Sequence, residues 1–193
     1  MNIPSMITSF RVAIIPIFIA VFLIELNGHF WGFPATNVVL LILFAIASIT
    51  DWLDGYLARK WNQTSSFGAF LDPVADKLLV AVALIAIVAS NPTHWYLTLS
   101  VMIIISREIT VSALREWMAS MGERGVVAVS WIGKWKTAFQ MLAIGCLLFK
   151  EDFFGLPIFT IGLILLVAAT VLTLWSMIQY LYATWKALRP TNA

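Results

Sequence analysis

The chain has 193 residues, 61% of them hydrophobic and only 11% charged, with a formal net charge of +2 at pH 7. Soluble domains carry about 25% charged residues, so the composition excludes an ordinary water-soluble globule. The net charge says little by itself, because the position of charges in a membrane protein matters more than their sum, and no nucleic-acid partner is expected. Cys146 is the single cysteine and sits in an apolar run. That excludes a disulfide within the chain and a thiol metal cluster, and Cys146 is read as a small buried hydrophobe.

Several uncharged runs are long enough to cross a hydrocarbon core, which takes about 20 residues of helix. They are continuous rather than alternating, which points to helices and not barrel strands. The expected fold is all-α, a polytopic integral membrane protein with six transmembrane helices, forming a single domain over residues 1–193.

The first helix is predicted over residues 4–24, with Pro16 a kink. Asn2, Thr8 and Arg11 form a polar stripe at its entry, Asn2 or Ser5 could cap it, and Arg11 lies shallow enough to snorkel to the interface. The N-terminus lacks a basic stretch and Arg11 interrupts its apolar run, so it is expected to be retained rather than cleaved as a signal. NGHFWGFP is a turn-rich connection to a second helix over 35–60. WNQTSSFG reads as a polar loop, and a third helix is predicted from Asp72, fading at 90–95. A fourth follows to residue 119, a fifth covers 126–149, and a sixth runs from GLP at 155–157 to residue 188.

Lysine and arginine set the orientation. Arg59, Lys60, Arg115, Arg124, Lys134, Lys136, Lys186 and Arg189 lie on one side, while the other has Lys150 beside Glu151 and Asp152. The basic side, with both termini, is expected to be cytoplasmic. Trp31, Trp95, Trp131 and Trp185 fall near helix ends, as in an aromatic belt.

Two stretches carry the chemistry. DWLDGYLARK at 51–60 places Asp51, Asp54, Gly55 and Ala58 on one helical face, so two carboxylates stand beside residues with little or no side chain. GAFLDPVADK at 68–77 places Asp72 and Asp76 one turn apart. Pro73 suits the first turn of a helix, so Asp72 is also a candidate N-cap, but capping does not explain Asp76. Four such carboxylates repel unless neutralised, and the cations nearest in sequence, Arg59, Lys60 and Lys77, do not match them in number. An all-oxygen set suits a hard divalent cation, Mg2+ or Mn2+.

The pattern D-x2-D-G-x2-A-R-x8-G-x3-D-x3-D over residues 51–76 resembles the signature of the CDP-alcohol phosphotransferase family at all eight specified positions, Asp51, Asp54, Gly55, Ala58, Arg59, Gly68, Asp72 and Asp76. NIPSMITSFR, SREI, SALREWMA and VSWIGKWKT resemble the members that use a glycerol phosphate acceptor. The resemblance implies transfer of a phosphatidyl group from CDP-diacylglycerol to sn-glycerol 3-phosphate in phospholipid biosynthesis, with release of CMP. It implies two metals on Asp51, Asp54, Asp72 and Asp76, with Asp76 also the general base. Gly55, Ala58, Arg59 and Gly68 would take the CDP-diacylglycerol, with Asn2, Thr8 and Arg11 at the rim of its pocket. It further implies an inner-membrane homodimer through the later helices, in contact with membrane lipid. No cysteine, histidine or serine is placed for a covalent intermediate, so direct in-line displacement is expected.

The acceptor phosphate needs cations, and Arg107, inside the fourth helix, is costly there without a task or partner. Glu108 points about 100° away on a helix, which makes it a poor partner for Arg107. Arg107, Arg115, Lys134 and Lys136 are therefore the expected glycerol-phosphate pocket. His29 and His94 lie on the far side and are given no catalytic role. Rival readings are an acceptor such as serine or inositol phosphate, which would be used by the same fold, or a divalent-cation transporter. A transporter should spread its acids through the membrane depth and show inverted repeats, and here the acids cluster at one face.

Overall fold

A computed structural model of the protein describes residues 3–61, 66–121 and 131–188, with side chains described over 10–51, 74–121 and 135–185. Among these residues the fold is all-α apart from one small hairpin. The helices are α1 (Ile3–Ile24), α2 (Ala35–Trp61), α3 (Ser66–Ala89), α4 (Trp95–Ser120), α5 (Trp131–Phe149) and α6 (Ile158–Leu188). α1 runs unbroken through Pro16.

The third helix departs from expectation. It opens at Ser66, so Gly68 lies within it and not in a loop, and Asp72 cannot be its N-cap. Pro73 misled because a proline suits a first helical turn, yet a helix can also carry one further in when other contacts hold it. The connection after α1 also holds more order than a bare turn. β1 (His29–Phe30) pairs antiparallel with β2 (Phe33–Pro34) across Trp31 and Gly32. Both turn residues have positive φ, 52° and 86°, as a two-residue hairpin of right-handed twist requires. Trp31 is exposed at its tip.

The chain divides into two compact units, residues 1–90 with 144–159 and residues 91–143 with 160–193. In the first, α1 packs against α2 and α3. Phe18, Ala47, Ala83, Leu84 and Ile87 form its buried core. The last turn of α5 joins it, with Gly145 close to Leu41 and Asn37 Nδ2 donating to the Phe149 carbonyl at 3.3 Å. Ser48 and Thr50, polar residues in an apolar run, return their hydroxyls to the carbonyls of Phe44 and Ile46. Cys146 is half-buried rather than buried.

In the second unit, Leu97, Ile104, Met118, Leu166 and Thr173 are the largest fully buried side chains of α4 and α6 among the described residues. Large apolar residues such as Met102, Ile109, Ile164 and Ile178 point outward, while Arg107 and Lys136 are buried. That polarity is the reverse of a water-soluble protein's. α4 and residues Ile158–Trp185 of α6 are long and apolar enough to cross a hydrocarbon core, and Phe10–Ile24, Ala35–Asp51 and Trp135–Phe149 are shorter apolar segments.

Candidate functional site

In the first unit the site is built where α1, α2 and α3 meet. Arg11 of α1 is completely buried, at 0% exposure, whereas the Asp51 and Asp76 side chains are 39% and 45% exposed. One guanidinium nitrogen, Nη1, lies 2.8 Å from Asp51 Oδ1 and 2.7 Å from Asp76 Oδ1. Arg11 therefore does not snorkel to the interface. A cation this deep is retained by the acids it serves, and those acids outweigh the reach to water. It is also the counter-charge that inspection of near neighbours missed, since it lies 65 positions from Asp76.

Two carboxylates from different helices thus converge on one point of positive charge, with their outer surfaces open. Such an oxygen-only pair fits a hard divalent cation. No group of three or more potential ligands occurs among the described residues. The side chains of Asp54, Gly55, Ala58, Arg59, Gly68, Asp72 and Thr8 lie outside those described, as does Asn2 altogether.

Replacing Arg11 with glutamine leaves the two acids facing each other without their cation. Because both acids are partly solvated, the expected loss is about 2 kcal/mol rather than the larger penalty of a fully buried pair. It is read as a lowered unfolding midpoint in detergent with chelator present. An unchanged midpoint would show that Arg11 does not hold α1 to α2 and α3.

The second unit carries a separate polar cluster. Arg107 and Glu108 come from α4, Lys136 from α5, and Ser176 and Tyr180 from α6. Arg107 Nη2 donates to Ser176 Oγ at 2.8 Å, and Arg107 Nη1 lies 3.4 Å from Glu108 Oε1. Lys136 Nζ donates to the same Glu108 oxygen. Arg115 Nη2 donates to Tyr180 Oη at 2.6 Å, and the Arg107 and Arg115 guanidiniums lie 5.5 and 5.2 Å from the Tyr180 ring centroid.

The structure thus brings together Arg107, Arg115 and Lys136, as expected, while the Lys134 side chain lies outside those described. It corrects the view of Glu108 as a poor partner. The 100° between neighbours on a helix separates their Cβ atoms, but two long side chains can close that gap. Among the described residues, three cations and one acid leave an excess of two positive charges, and the buried Arg107 Nε has no hydrogen-bond partner. An excess of two complements a phosphate dianion. Ser176 and Tyr180 gave no sequence signal, being ordinary residues of an apolar helix.

A sequence model of the CDP-alcohol phosphatidyltransferase family matches residues 1–175. The chain belongs to that family. Among its relatives, a Haemophilus influenzae protein named CDP-diacylglycerol--glycerol-3-phosphate 3-phosphatidyltransferase is 52% identical over 180 residues, covering 93% of this chain and 91% of its own. Proteins of the same name from Salmonella paratyphi A and Sodalis glossinidius are each 50% identical, covering 94% and 95% of this chain and 94% of their own. The eight signature positions read from the sequence fall on α2 and α3.

Proposed function

We propose that the chain transfers a phosphatidyl group from CDP-diacylglycerol to sn-glycerol 3-phosphate, giving phosphatidylglycerophosphate and CMP. The observation that carries this reading is identity at about half of all positions, across nearly the whole length, to relatives bearing that activity's name. We read the chain as a single enzymatic domain of the bacterial cytoplasmic membrane with six spans. The apolar character of α4 and α6 and of the shorter segments supports this. The distribution of lysine and arginine supports a cytoplasmic side for both termini and the aspartates.

Asp51, Asp54, Asp72 and Asp76 would hold the divalent metal, Mg2+ or Mn2+. When bound there, it supplies charge neutralisation for the diphosphate and for the departing CMP. Arg59 contacts the diphosphate, and Gly55 and Gly68 give the nucleotide room. Arg107, Arg115, Lys134 and Lys136 bind the acceptor phosphate. A glycerol hydroxyl is a weak nucleophile at neutral pH, so Asp76 accepts its proton. The acceptor oxygen bonds to the lipid-bearing phosphorus as that phosphorus loses its bond to the CMP phosphate oxygen, which leaves with the electron pair.

The deciding experiment follows CMP release by purified protein in detergent with CDP-diacylglycerol and Mg2+. Glycerol 3-phosphate, serine and inositol phosphate are supplied separately, each with a chelator control. Metal-dependent release with glycerol 3-phosphate alone is expected, and release with another acceptor instead would overturn the assignment. Arg107→Ala or Lys136→Ala should raise the KM for glycerol 3-phosphate by about tenfold or more, as loss of a charge-assisted phosphate contact implies. CDP-diacylglycerol should still bind. An unchanged KM would remove the cluster from the acceptor site.

A further inference from the structure

At the other end of the first unit lies a polar cavity of about 420 Å³, walled by the end of α1, the start of α2, the end of α3 and the end of α5. Asn37, in its wall, precedes Asp51 by fourteen residues of α2, about 21 Å along the axis. The cavity is thus distinct from the aspartate site.

Two lining residues carry opposite charge, Glu25 and Lys150. Each immediately follows a helix, α1 or α5, and each has positive φ, 50° and 66°. Glycine ordinarily fills that left-handed closing position, because a side chain there is strained. The Lys150 N–H closes its helix onto the Cys146 carbonyl at 3.0 Å. A cation at a helix C-terminus is favourable, which accounts for Lys150 in part. A carboxylate there opposes the helix dipole, so Glu25 is unfavourable on both counts. Burial lowers the Lys150 pKa, and the charges of Glu151 and Glu25 oppose that shift. Yet neither Glu25 nor Lys150 has an ion pair or side-chain hydrogen bond among the described residues. Two opposite charges face one cavity without closing on each other.

Against this cavity runs a groove of about 260 Å³ between α1 and α3, lined by Phe18, Ile19, Leu23, Val82 and Ile85 with no polar side chain. Phe22 and Ala86 belong to both. A polar chamber with one positive and one negative wall therefore adjoins an apolar groove along the helices, with Phe22 and Ala86 as their common wall.

We propose that this end of the unit binds a zwitterionic phospholipid whose headgroup carries a phosphate and a free ammonium, with the phosphate at Lys150, the ammonium at Glu25 and an acyl chain in the α1–α3 groove.

The test uses delipidated full-length protein in detergent and native mass spectrometry to read retained lipid. Phosphatidylethanolamine, phosphatidylglycerol and diacylglycerol of identical acyl chains are offered at equal concentration. Phosphatidylethanolamine should be retained about tenfold better than either competitor, because only it satisfies both charges. Glu25→Asn and Lys150→Asn keep a residue that tolerates positive φ. Each should lose about tenfold in retention while CMP release stays at the wild-type rate. Free phosphoethanolamine at equal concentration should not displace the lipid. Three results would overturn the proposal. Diacylglycerol retained equally would mean that the charges are idle. Phosphatidylglycerol retained equally would mean that Glu25 plays no part. Displacement by phosphoethanolamine would mean that the groove holds no chain. The lipid competition on wild-type protein decides these points even if a variant fails to fold.

Discussion

Asp76→Asn should abolish turnover while leaving a folded protein that still takes up CDP-diacylglycerol. The substitution preserves size and an acceptor oxygen toward Arg11, whose second partner Asp51 remains 2.8 Å away, so the junction of α1, α2 and α3 should survive. What it removes is the capacity to accept the acceptor's proton. A positioned general base contributes on the order of 10²–10⁴-fold, and CMP release should fall by about that factor. Two readouts separate the roles of this residue. If turnover falls and metal-dependent binding of labelled CDP-diacylglycerol persists, the base role stands. If binding is lost to the same degree, Asp76 acts only in holding metal. Turnover near the wild-type rate would remove Asp76 from the chemistry altogether.

Glu108→Ala should be the most damaging single change in the second unit. Among the described residues, Glu108 is the one acid in contact with both Arg107 and Lys136, and both of these are buried. Removing one partner of a buried ion pair typically costs about 3–5 kcal/mol, because the charge left behind is neither solvated nor paired. In a chain of this size that is a drop in the unfolding midpoint on the order of 10 °C. The same variant tests the cluster's task. With the acid gone, a bound phosphate becomes the best remaining partner for the two cations. Glycerol 3-phosphate should therefore raise the midpoint of Glu108→Ala more than that of the wild type, whereas free glycerol should not. A midpoint within about 1 °C of the wild type would show that the pair is not structural. A large drop that glycerol 3-phosphate does not relieve would show that the cluster is structural and not an acceptor site.

Much of this was legible before any coordinates. Spacing within one helix is a local property, since successive residues turn by about 100° whatever surrounds them. The eight signature positions, their spacing and the apolar length of the remaining helices could therefore be read directly, whereas Gly68 falls in a predicted loop and the structure sets it inside α3. So could the cationic character of Arg107, Arg115 and Lys136, because charges inside an apolar helix demand a reason. Where local reading failed, it failed at the ends of elements. Pro73 predicts a helix start, whereas the helix begins at Ser66. The hairpin at Trp31–Gly32, and the left-handed closures at Glu25 and Lys150, depend on residues that carry no glycine-like signal of their own except Gly32.

Which charge meets which could not be read this way. A place near a helix end points Arg11 to the interface, but packing buries it between Asp51 and Asp76 on two other helices. The angle to its neighbour makes Glu108 a poor partner for Arg107, yet in the fold its carboxylate joins Arg107 to Lys136, 28 positions from it. The physical reason is the same in each case. Helix periodicity assigns a side chain to a face, but a long charged side chain spans several ångströms beyond that face. Its partner is chosen by desolvation, which depends on what the neighbouring helices bring to the same depth.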